Sequence, residues 1–283
     1  MSDLKVLSLG AGVQSTTLLL MALGGEIERP DCAIFSDTGW EPQKVYSHLE
    51  RLKDEASRHD FPIHIVSIGN IRSDILRQIN THQKWVEGQP PLHIINRNRE
   101  EDGGKLWRQC TNDYKIEPIN RKIKDLLGYK PWKHVKKRGS NGTYRKYADQ
   151  WIGISTDEAQ RMRSNKVKWI TNVYPLVDMH MTRQHCVQWL QRRGWGDTPK
   201  SACIGCPLKG DKRWRSMKKH APEEFHDAVS FDSSLRERPY PGAKGMAYVH
   251  RSMVPLGEVD LTTDRDHGQM DMFGEECEGM CGV

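Results

Sequence analysis

Near the amino terminus the chain reads Val6-Leu7-Ser8-Leu9-Gly10-Ala11-Gly12-Val13-Gln14-Ser15-Thr16, an apolar segment followed by a glycine turn and hydroxyl residues. We predict a strand over about 4–9 and an apolar helix that runs to Leu23. A turn of this kind exposes backbone N–H groups at a helix N-terminus, where the helix dipole favours an anion. The stretch therefore predicts a phosphate-binding loop, and the plainer interpretation is a glycine turn that only allows tight packing.

This loop differs from the two commoner glycine signatures. No Gly-Lys-Ser/Thr follows it, as a Walker loop requires, and the full glycine spacing of a dinucleotide-binding fold is missing. The loop alone therefore does not identify its ligand.

The pattern downstream alternates strands with helices. Residues 32–37 and 63–68 form apolar-leaning runs, and the segment between them carries Val45, Leu49 and Leu52 on one helical face. This alternation predicts an α/β fold with a doubly wound, mostly parallel sheet. Ligands of such sheets bind at the carboxyl ends of the strands, where both the glycine loop and the turn at residues 37–39 lie.

Four ordered motifs resemble one superfamily. Residues 10–15 resemble the pyrophosphate loop (PP-loop) of ATP pyrophosphatases and phosphoadenosine-phosphosulfate (PAPS) reductases, usually Ser-Gly-Gly-x-Asp-Ser, with Gly10 in place of the first Ser and Gln14 in place of the Asp. The Gln form is more similar to the PAPS-reductase branch. Residues 35–41 resemble its Asp-Thr-Gly element, residues 108–118 its Cys-Thr-x-x-x-Lys-x-x-Pro element, and residues 153–161 its Gly-Ile-x-x-x-Glu-x-x-Arg element.

The resemblance implies a fold like that of the adenine nucleotide alpha-hydrolases, which is Rossmann-like, with a C-terminal cysteine-bearing extension. We expect a nucleotide-binding α/β domain over 1–180, with a basic flap at about 130–150, and a helical, cysteine-rich region with an acidic tail over 181–283. The implied ligand is ATP or PAPS with Mg²⁺. The expected nucleotide-binding residues are Ser8, Gly10, Ala11, Gly12, Gln14, Ser15, Thr16, Asp37, Thr38, Gly39 and Arg161.

The segment Ser201-Ala202-Cys203-Ile204-Gly205-Cys206-Pro207 is the second strong motif. Two cysteines three residues apart around a glycine can direct both thiolates at one metal or cluster. Taken alone, the pair leaves zinc, redox and iron–sulfur chemistry open. Seven cysteines in a chain with a cytoplasmic composition are more typical of metal binding or catalysis than of disulfides.

The position of Cys110 resembles that of a cluster ligand in the iron–sulfur branch of the superfamily. This branch includes adenylylsulfate reductases and enzymes of DNA phosphorothioation and tRNA thiolation. The resemblance thus implies a 4Fe–4S cluster held by Cys110, Cys203 and Cys206. We expect Cys281 as the fourth ligand and Cys277 as a sulfur carrier, and the reverse assignment of these two stays open. Zinc and plain thiols are the alternatives.

Three further residues complete the predicted site. Asp37 could hold Mg²⁺ or the ribose, or could only cap the turn after its strand. Lys115 lies one turn into the helix after Cys110, where it could face the same pocket, and we expect it, Asp37 and Cys277 to be catalytic. The guanidinium of Arg161 suits bidentate contact with a phosphate.

Composition sets further bounds. The mean hydropathy is −0.73, and no window approaches 18 apolar residues, so we expect a cytoplasmic protein without a signal peptide or transmembrane helix. The net charge is only +6, but residues 130–168 hold eleven Lys and Arg against three acids, and residues 192–219 hold nine against two. Such runs are either solvated faces or a surface for a phosphate-rich partner, a nucleotide or a nucleic acid.

Several segments carry simpler predictions. Residues 80–107 lack periodicity and are interpreted as a long loop that could close over the site, or as a disordered insert. We predict helices over about 113–127, with Gly128 as the stop, from the cap Thr182 to Arg193, and over about 211–229. Cys32 and Cys186 are predicted to be core residues.

Together these features predict an ATP-dependent, adenylating sulfurtransferase with an iron–sulfur cluster. The basic segments favour tRNA or DNA as the substrate, and a donor protein or sulfide would supply the sulfur. The first alternative is a PAPS or adenylylsulfate reductase that releases sulfite, which Gln14 and the tail cysteine favour. The second is a non-catalytic nucleotide-binding module.

Overall fold

The computed structural model describes residues 2–81, 84, 86–96, 103–130, 135, 143–237, 239–243 and 245–262. The strands are β1 (Leu4–Ser8), β2 (Cys32–Asp37), β3 (Ile63–Ser67), β4 (His93–Asn96), β5 (Gly103–Lys105), β6 (Ala148–Ile152), β7 (Ile170–Val173) and β8 (Gly245–Tyr248). The α-helices are α1 (Val13–Leu23), α2 (Gln43–Arg58), α3 (Ile71–Asn80), α4 (Glu117–Leu126), α5 (Pro175–Asp178), α6 (Arg183–Arg192), α7 (Asp211–His220) and α8 (Pro222–Ser234).

The main sheet is parallel throughout, in the order β3-β2-β1-β6-β7. The chain adds strands on one side of β1 and then returns to its other side, so the winding direction reverses between β1 and β6. Parallel α/β sheets bind ligands at the carboxyl ends of the strands beside such a reversal. The glycine loop follows β1 at this point, as the sequence predicts.

Helices cover both faces of this sheet, which makes it doubly wound. Alternate residues of β1 point to opposite faces, because side chains alternate along a strand. Leu7 belongs to a core with α1, α2 and α6, whereas Val6 packs with α4. The prediction of an α/β fold with a mostly parallel sheet is confirmed.

A second core lies beside the sheet. It joins α3, α7 and α8 to a small antiparallel sheet of order β5-β4-β8, and its largest fully buried side chains include Trp214, Tyr240 and Phe231. The interpretation of 80–107 as a structureless loop is wrong for β4 and β5. Strands of three or four residues are too short to show periodicity, and β4 pairs with a strand about 150 residues away.

The predicted helices form with small differences. A π-helical segment, Asn112–Ile116, precedes α4, and Gly128 has a φ of +74° where the helix ends. Thr182 caps α6 through its hydroxyl, which accepts a hydrogen bond from the His185 amide. The stretch predicted as one helix over 211–229 is two helices, because Pro222 starts α8 directly after Ala221.

Cys32 and Cys186 are buried core residues, as predicted. Because Cys186 and Leu190 of α6 pack in the same core as α1, residues just after the expected boundary at 180 are part of the first packed unit. Most of the basic flap and the whole tail from residue 263 lie outside the described residues. Within the described ranges, no helix has the length and apolar character needed to cross a membrane.

Candidate functional site

The glycine loop gathers backbone donors around one point. Gly12 is the N-cap of α1, and the first amides of a helix have no acceptor within the helix. The amides of Gly10 and Gly12 both donate to the Ser15 hydroxyl, at 3.2 and 3.4 Å. Ala11 makes the turn with a φ of +51°. Convergent N–H groups at a helix N-terminus form an anion-binding concavity.

A pocket of about 1000 Å³, including its open mouth, lies over this loop. Its walls come from the loop, from Phe35 and Ser36 near the end of β2, from Gln150 and Ile152 of β6, and from Gly153 directly after β6. Four cationic side chains line it, of which Lys115 and Arg161 were predicted and Arg183 and Lys200 were not. We call this space the nucleotide pocket, after the ligand expected from the sequence.

The unusual Gln14 has a defined partner. Its side-chain amide donates to Oε2 of Glu158 at 2.8 Å, and Oε1 of Glu158 accepts from Arg161 at 2.6 Å. Glu158 is buried and lines the nucleotide pocket. An aspartate at position 14 would bring two carboxylates together, so a neutral amide is the compatible residue here.

Other predicted nucleotide-binding residues serve the framework of the loop. Ala11 is fully buried, and Thr16 is buried with its hydroxyl 3.0 Å from Nε2 of His48. Burial lowers the pKa of His48 to about 4, so the imidazole is neutral. Ser8 does line the pocket, and its hydroxyl accepts from Gln150 at 2.7 Å. Thr16 thus positions α1 instead of facing the pocket.

The turn after β2 contacts the loop that carries Cys203 and Cys206, and Thr38 and Trp40 of this turn line the thiol pocket described below and not the nucleotide pocket. Oδ1 of Asp37 accepts from the Gly39 amide and from the Tyr46 hydroxyl, both at 2.8 Å, so it caps the turn. Gly39 has a φ of +69°, and a Cβ there would lie 2.9 Å from the backbone of Asn70. This conformation and this close approach require glycine.

Trp40 connects that turn to the second cysteine motif. Its carbonyl accepts from the Ile204 amide at 2.9 Å, and its ring packs so closely on Gly205 that a Cβ there would lie 2.1 Å away. Lys209 closes the other side of the loop, where its buried ammonium donates to the carbonyls of Cys203 and Ile204. The glycine between the two cysteines is therefore needed for packing against Trp40.

Cys110, Cys203 and Cys206 line one second pocket, which we call the thiol pocket. It extends about 590 Å³, including its mouth, and Thr38 and Trp40 form part of its wall. The structure thus brings Cys110 to the same pocket as Cys203 and Cys206, which follow it by more than ninety residues in the chain. Lys115 lines both the thiol pocket and the nucleotide pocket.

A buried carboxylate that the sequence did not single out lies at this junction. Oε1 of Glu41 accepts from Nζ of Lys115 at 3.2 Å and from the Thr38 hydroxyl at 3.1 Å, and Sγ of Cys203 lies 3.6 Å away. Only 1% of the Glu41 side chain is exposed. Its position directly after the Asp-Thr-Gly element and Trp40 was the available signal.

The thiols of Cys203 and Cys110 are protonated in the metal-free protein. Burial, reinforced by the nearby Glu41 carboxylate, raises the pKa of Cys203 to about 12. Burial also raises the pKa of Cys110. Binding of a metal or cluster requires thiolates, so it would release protons from these residues.

The described part of the chain contains no group of three or more His, Cys, Asp or Glu side chains arranged around a single metal ion. The predicted ligand Cys281 and the predicted carrier Cys277 lie outside the described residues. Three thiols lining one pocket provide the sulfur donors that iron–sulfur clusters use.

The chain was also compared with known proteins. Neither the models of known protein families nor the curated proteins gave a match.

Proposed function

We propose that this protein is an ATP-dependent, adenylating sulfurtransferase that modifies a nucleic acid. The observation that carries the proposal is the placement of a three-cysteine pocket beside the pocket over the glycine loop, with Lys115 in the wall of both. Activation of an oxygen by a nucleotide and its replacement by sulfur need two such sites within reach of one substrate. The resemblance to PP-loop enzymes supports the same assignment.

In the first step the nucleotide pocket would hold ATP with its phosphates at the loop of residues 10–15. A carbonyl oxygen of the substrate base attacks the α-phosphorus, and the bond from that phosphorus to pyrophosphate breaks. Negative charge develops on the leaving pyrophosphate, and the loop amides would stabilise it together with Arg161, Arg183 and Lys200, which line the pocket. Mg²⁺ would be carried chiefly by the phosphates, since Oδ1 of Asp37 already accepts two hydrogen bonds.

In the second step hydrosulfide attacks the activated carbon, and the carbon–oxygen bond breaks. AMP leaves with the former carbonyl oxygen, and the base keeps sulfur in its place. A 4Fe–4S cluster, held by Cys110, Cys203 and Cys206, would supply a site that presents sulfide to the substrate. Lys115 lies between the two pockets, where its charge can stabilise the departing AMP phosphate.

Two paired variants test the cluster assignment. Protein purified without oxygen should be brown and contain iron and sulfide, and Cys203→Ala should abolish both. Cys186→Ala is the matched control, because it also removes a buried thiol, at a position in the first core. Iron-free wild-type protein, or equal iron loss in both variants, would contradict the assignment.

A nucleotide assay separates the proposal from the reductase. Release of AMP and pyrophosphate from ATP, dependent on added tRNA or DNA, supports the transferase. Thioredoxin-dependent release of sulfite from PAPS would identify a reductase instead. Binding of neither nucleotide would contradict both enzymes.

A further inference from the structure

Trp107 stands out among the apolar side chains of the described surface. It is 79% exposed, whereas the next most exposed large apolar residues, Ile65 and Ile68, are 46% and 47% exposed. Tryptophan is normally well buried, because its ring gains most from leaving water. An indole left this open has a large surface available for a ligand.

The backbone that carries Trp107 is held in place. The Leu106 amide donates to the Leu92 carbonyl at 2.8 Å, and the Gln89 side chain donates to the Trp107 carbonyl at 3.2 Å. The amides of Gln109 and Cys110 both donate to the Gln89 carbonyl. The exposed ring therefore projects from a fixed segment.

This segment leads directly into the thiol pocket. Arg108, the next residue, lines that pocket, as does Cys110 three positions after Trp107. Pro90 and Pro91, which follow Gln89 on the adjacent segment, line it as well. The segment that carries the indole thus continues into the wall of the thiol pocket.

Charge decides the kind of partner. In the chain, Trp107 lies between Lys105, which is exposed, and Arg108, which lines the thiol pocket and donates to the Thr111 hydroxyl at 2.6 Å. A segment that carries both an exposed aromatic ring and cationic side chains suits the stacking face of a base and the phosphates of its backbone, which is how unpaired nucleic acids are bound. An apolar protein partner would not need the flanking charges.

We propose that Trp107 is the stacking platform for an unpaired base of the nucleic-acid substrate, next to the base that enters the thiol pocket. The inference rests on the proposed function, because it assigns the docking place of that enzyme's substrate. It gives Trp107 a positioning role, since the ring binds a neighbouring base and does not touch the reacting atoms.

The test is binding of fluorescein-labelled single-stranded RNA and DNA oligonucleotides, measured by anisotropy at several salt concentrations. Trp107→Ala should raise the dissociation constant about 5- to 150-fold, the range for loss of one stacked base. Trp107→Phe should restore most of the affinity. The slope of affinity against salt should stay unchanged in both variants, because neither removes a charge.

Ile68→Ala is the control, since it shortens another exposed apolar side chain. It should bind like the wild type, and all three variants should keep the unfolding midpoint of the wild type. Equal binding by Trp107→Ala and wild type would overturn this proposal and leave the proposed function standing.

A parallel measurement of ATP binding separates the remaining outcomes. Wild-type protein that binds ATP but neither oligonucleotide overturns the docking site and the nucleic-acid substrate together. Wild-type protein that binds oligonucleotides with a Trp107 effect but never forms AMP supports the docking site and contradicts the transferase. Self-association that Trp107→Ala abolishes, with oligonucleotide binding unchanged, assigns the ring to a protein interface and overturns the proposal.

Discussion

Replacement of Lys115 by methionine should lower the free energy of unfolding, because it leaves the buried Glu41 carboxylate without its cationic partner. Lys115 and Glu41 form an ion pair at 3.2 Å, with the Glu41 side chain only 1% exposed and the Lys115 side chain 21% exposed. Removing one partner of a buried pair strands the other charge, at a cost of about 3–5 kcal/mol. Because Lys115 is partly exposed, we expect the lower end, about 3 kcal/mol.

Urea unfolding of the metal-free protein, followed by circular dichroism, measures this loss. The double variant Glu41→Gln/Lys115→Met removes the stranded charge, so it should recover about 2 kcal/mol relative to Lys115→Met. Arg121→Met is the matched control from the following helix. Its pair with Glu117 is 68% and 48% exposed, so the loss there should stay below about 0.5 kcal/mol.

The result that refutes this reasoning is a loss below about 1 kcal/mol for Lys115→Met, or a double variant no more stable than the single one. Either would mean that water or another group already compensates Glu41. The link between the two pockets would then have no energetic basis in this ion pair.

Three further predictions concern other parts of the structure. In urea unfolding at pH 7, Gln14→Asp should be about 1–3 kcal/mol less stable than Gln14→Asn, because only the aspartate repels Glu158. This difference in stability should vanish below about pH 4, where carboxylates protonate. The pKa of the Cys203 thiol is about 12, against 9 for an ordinary thiol. At pH 8 the thiolate fraction of Cys203 should therefore be about 1000-fold smaller in the folded than in the urea-unfolded protein. Iodoacetamide labelling of Cys203, followed by mass spectrometry, should be correspondingly slow in the folded protein, and its rate should rise with pH. Asp232→Ala should cost at least about 3 kcal/mol in thermal or urea unfolding, because this buried carboxylate accepts from two backbone amides, of Val249 and Leu256, and from the Arg236 guanidinium.

The main sheet could be predicted because its signals are local. The strand before Gly10 is apolar and continuous, and the helix after residue 42 repeats its apolar positions at helical spacing. The small sheet could not be predicted, because β4 and β5 are short and gain their stability from pairing with β8. Its strands follow from tertiary pairing and leave no periodic pattern in the sequence.

The candidate site also contains some residues that local motifs predict and others that only the tertiary structure brings in. The glycine loop and Arg161 belong to motifs that are contiguous in the chain, whereas the grouping of Cys110 with Cys203 and Cys206 was expected only from the resemblance to the iron–sulfur branch. The role of Glu41 depends on a contact with Cys203 across 162 positions, and Arg183 and Lys200 reach the nucleotide pocket from segments without a phosphate motif. Thr16 shows the converse, since its place in the motif suggested a phosphate contact and its hydroxyl instead meets His48.

Gln14 is a residue that departs from the motif it resembles, and its contacts in the structure explain the departure. In sequence it is only a substitution of the usual aspartate. In the fold it faces Glu158, which also holds Arg161, so the amide is the residue that fits this neighbourhood. The partner comes from a segment 144 positions later, which no local pattern indicates.

The most direct test of the central claim is a product analysis by mass spectrometry. Anaerobically prepared protein is incubated with ATP, Mg²⁺, sulfide and unmodified tRNA or DNA, and AMP, pyrophosphate and thiolated nucleosides are quantified. We predict AMP and pyrophosphate in equal amounts, matched by the thiolated nucleoside and lost in Lys115→Met. Formation of ADP and phosphate in place of AMP, or sulfite in a parallel incubation with PAPS and thioredoxin, would contradict the account.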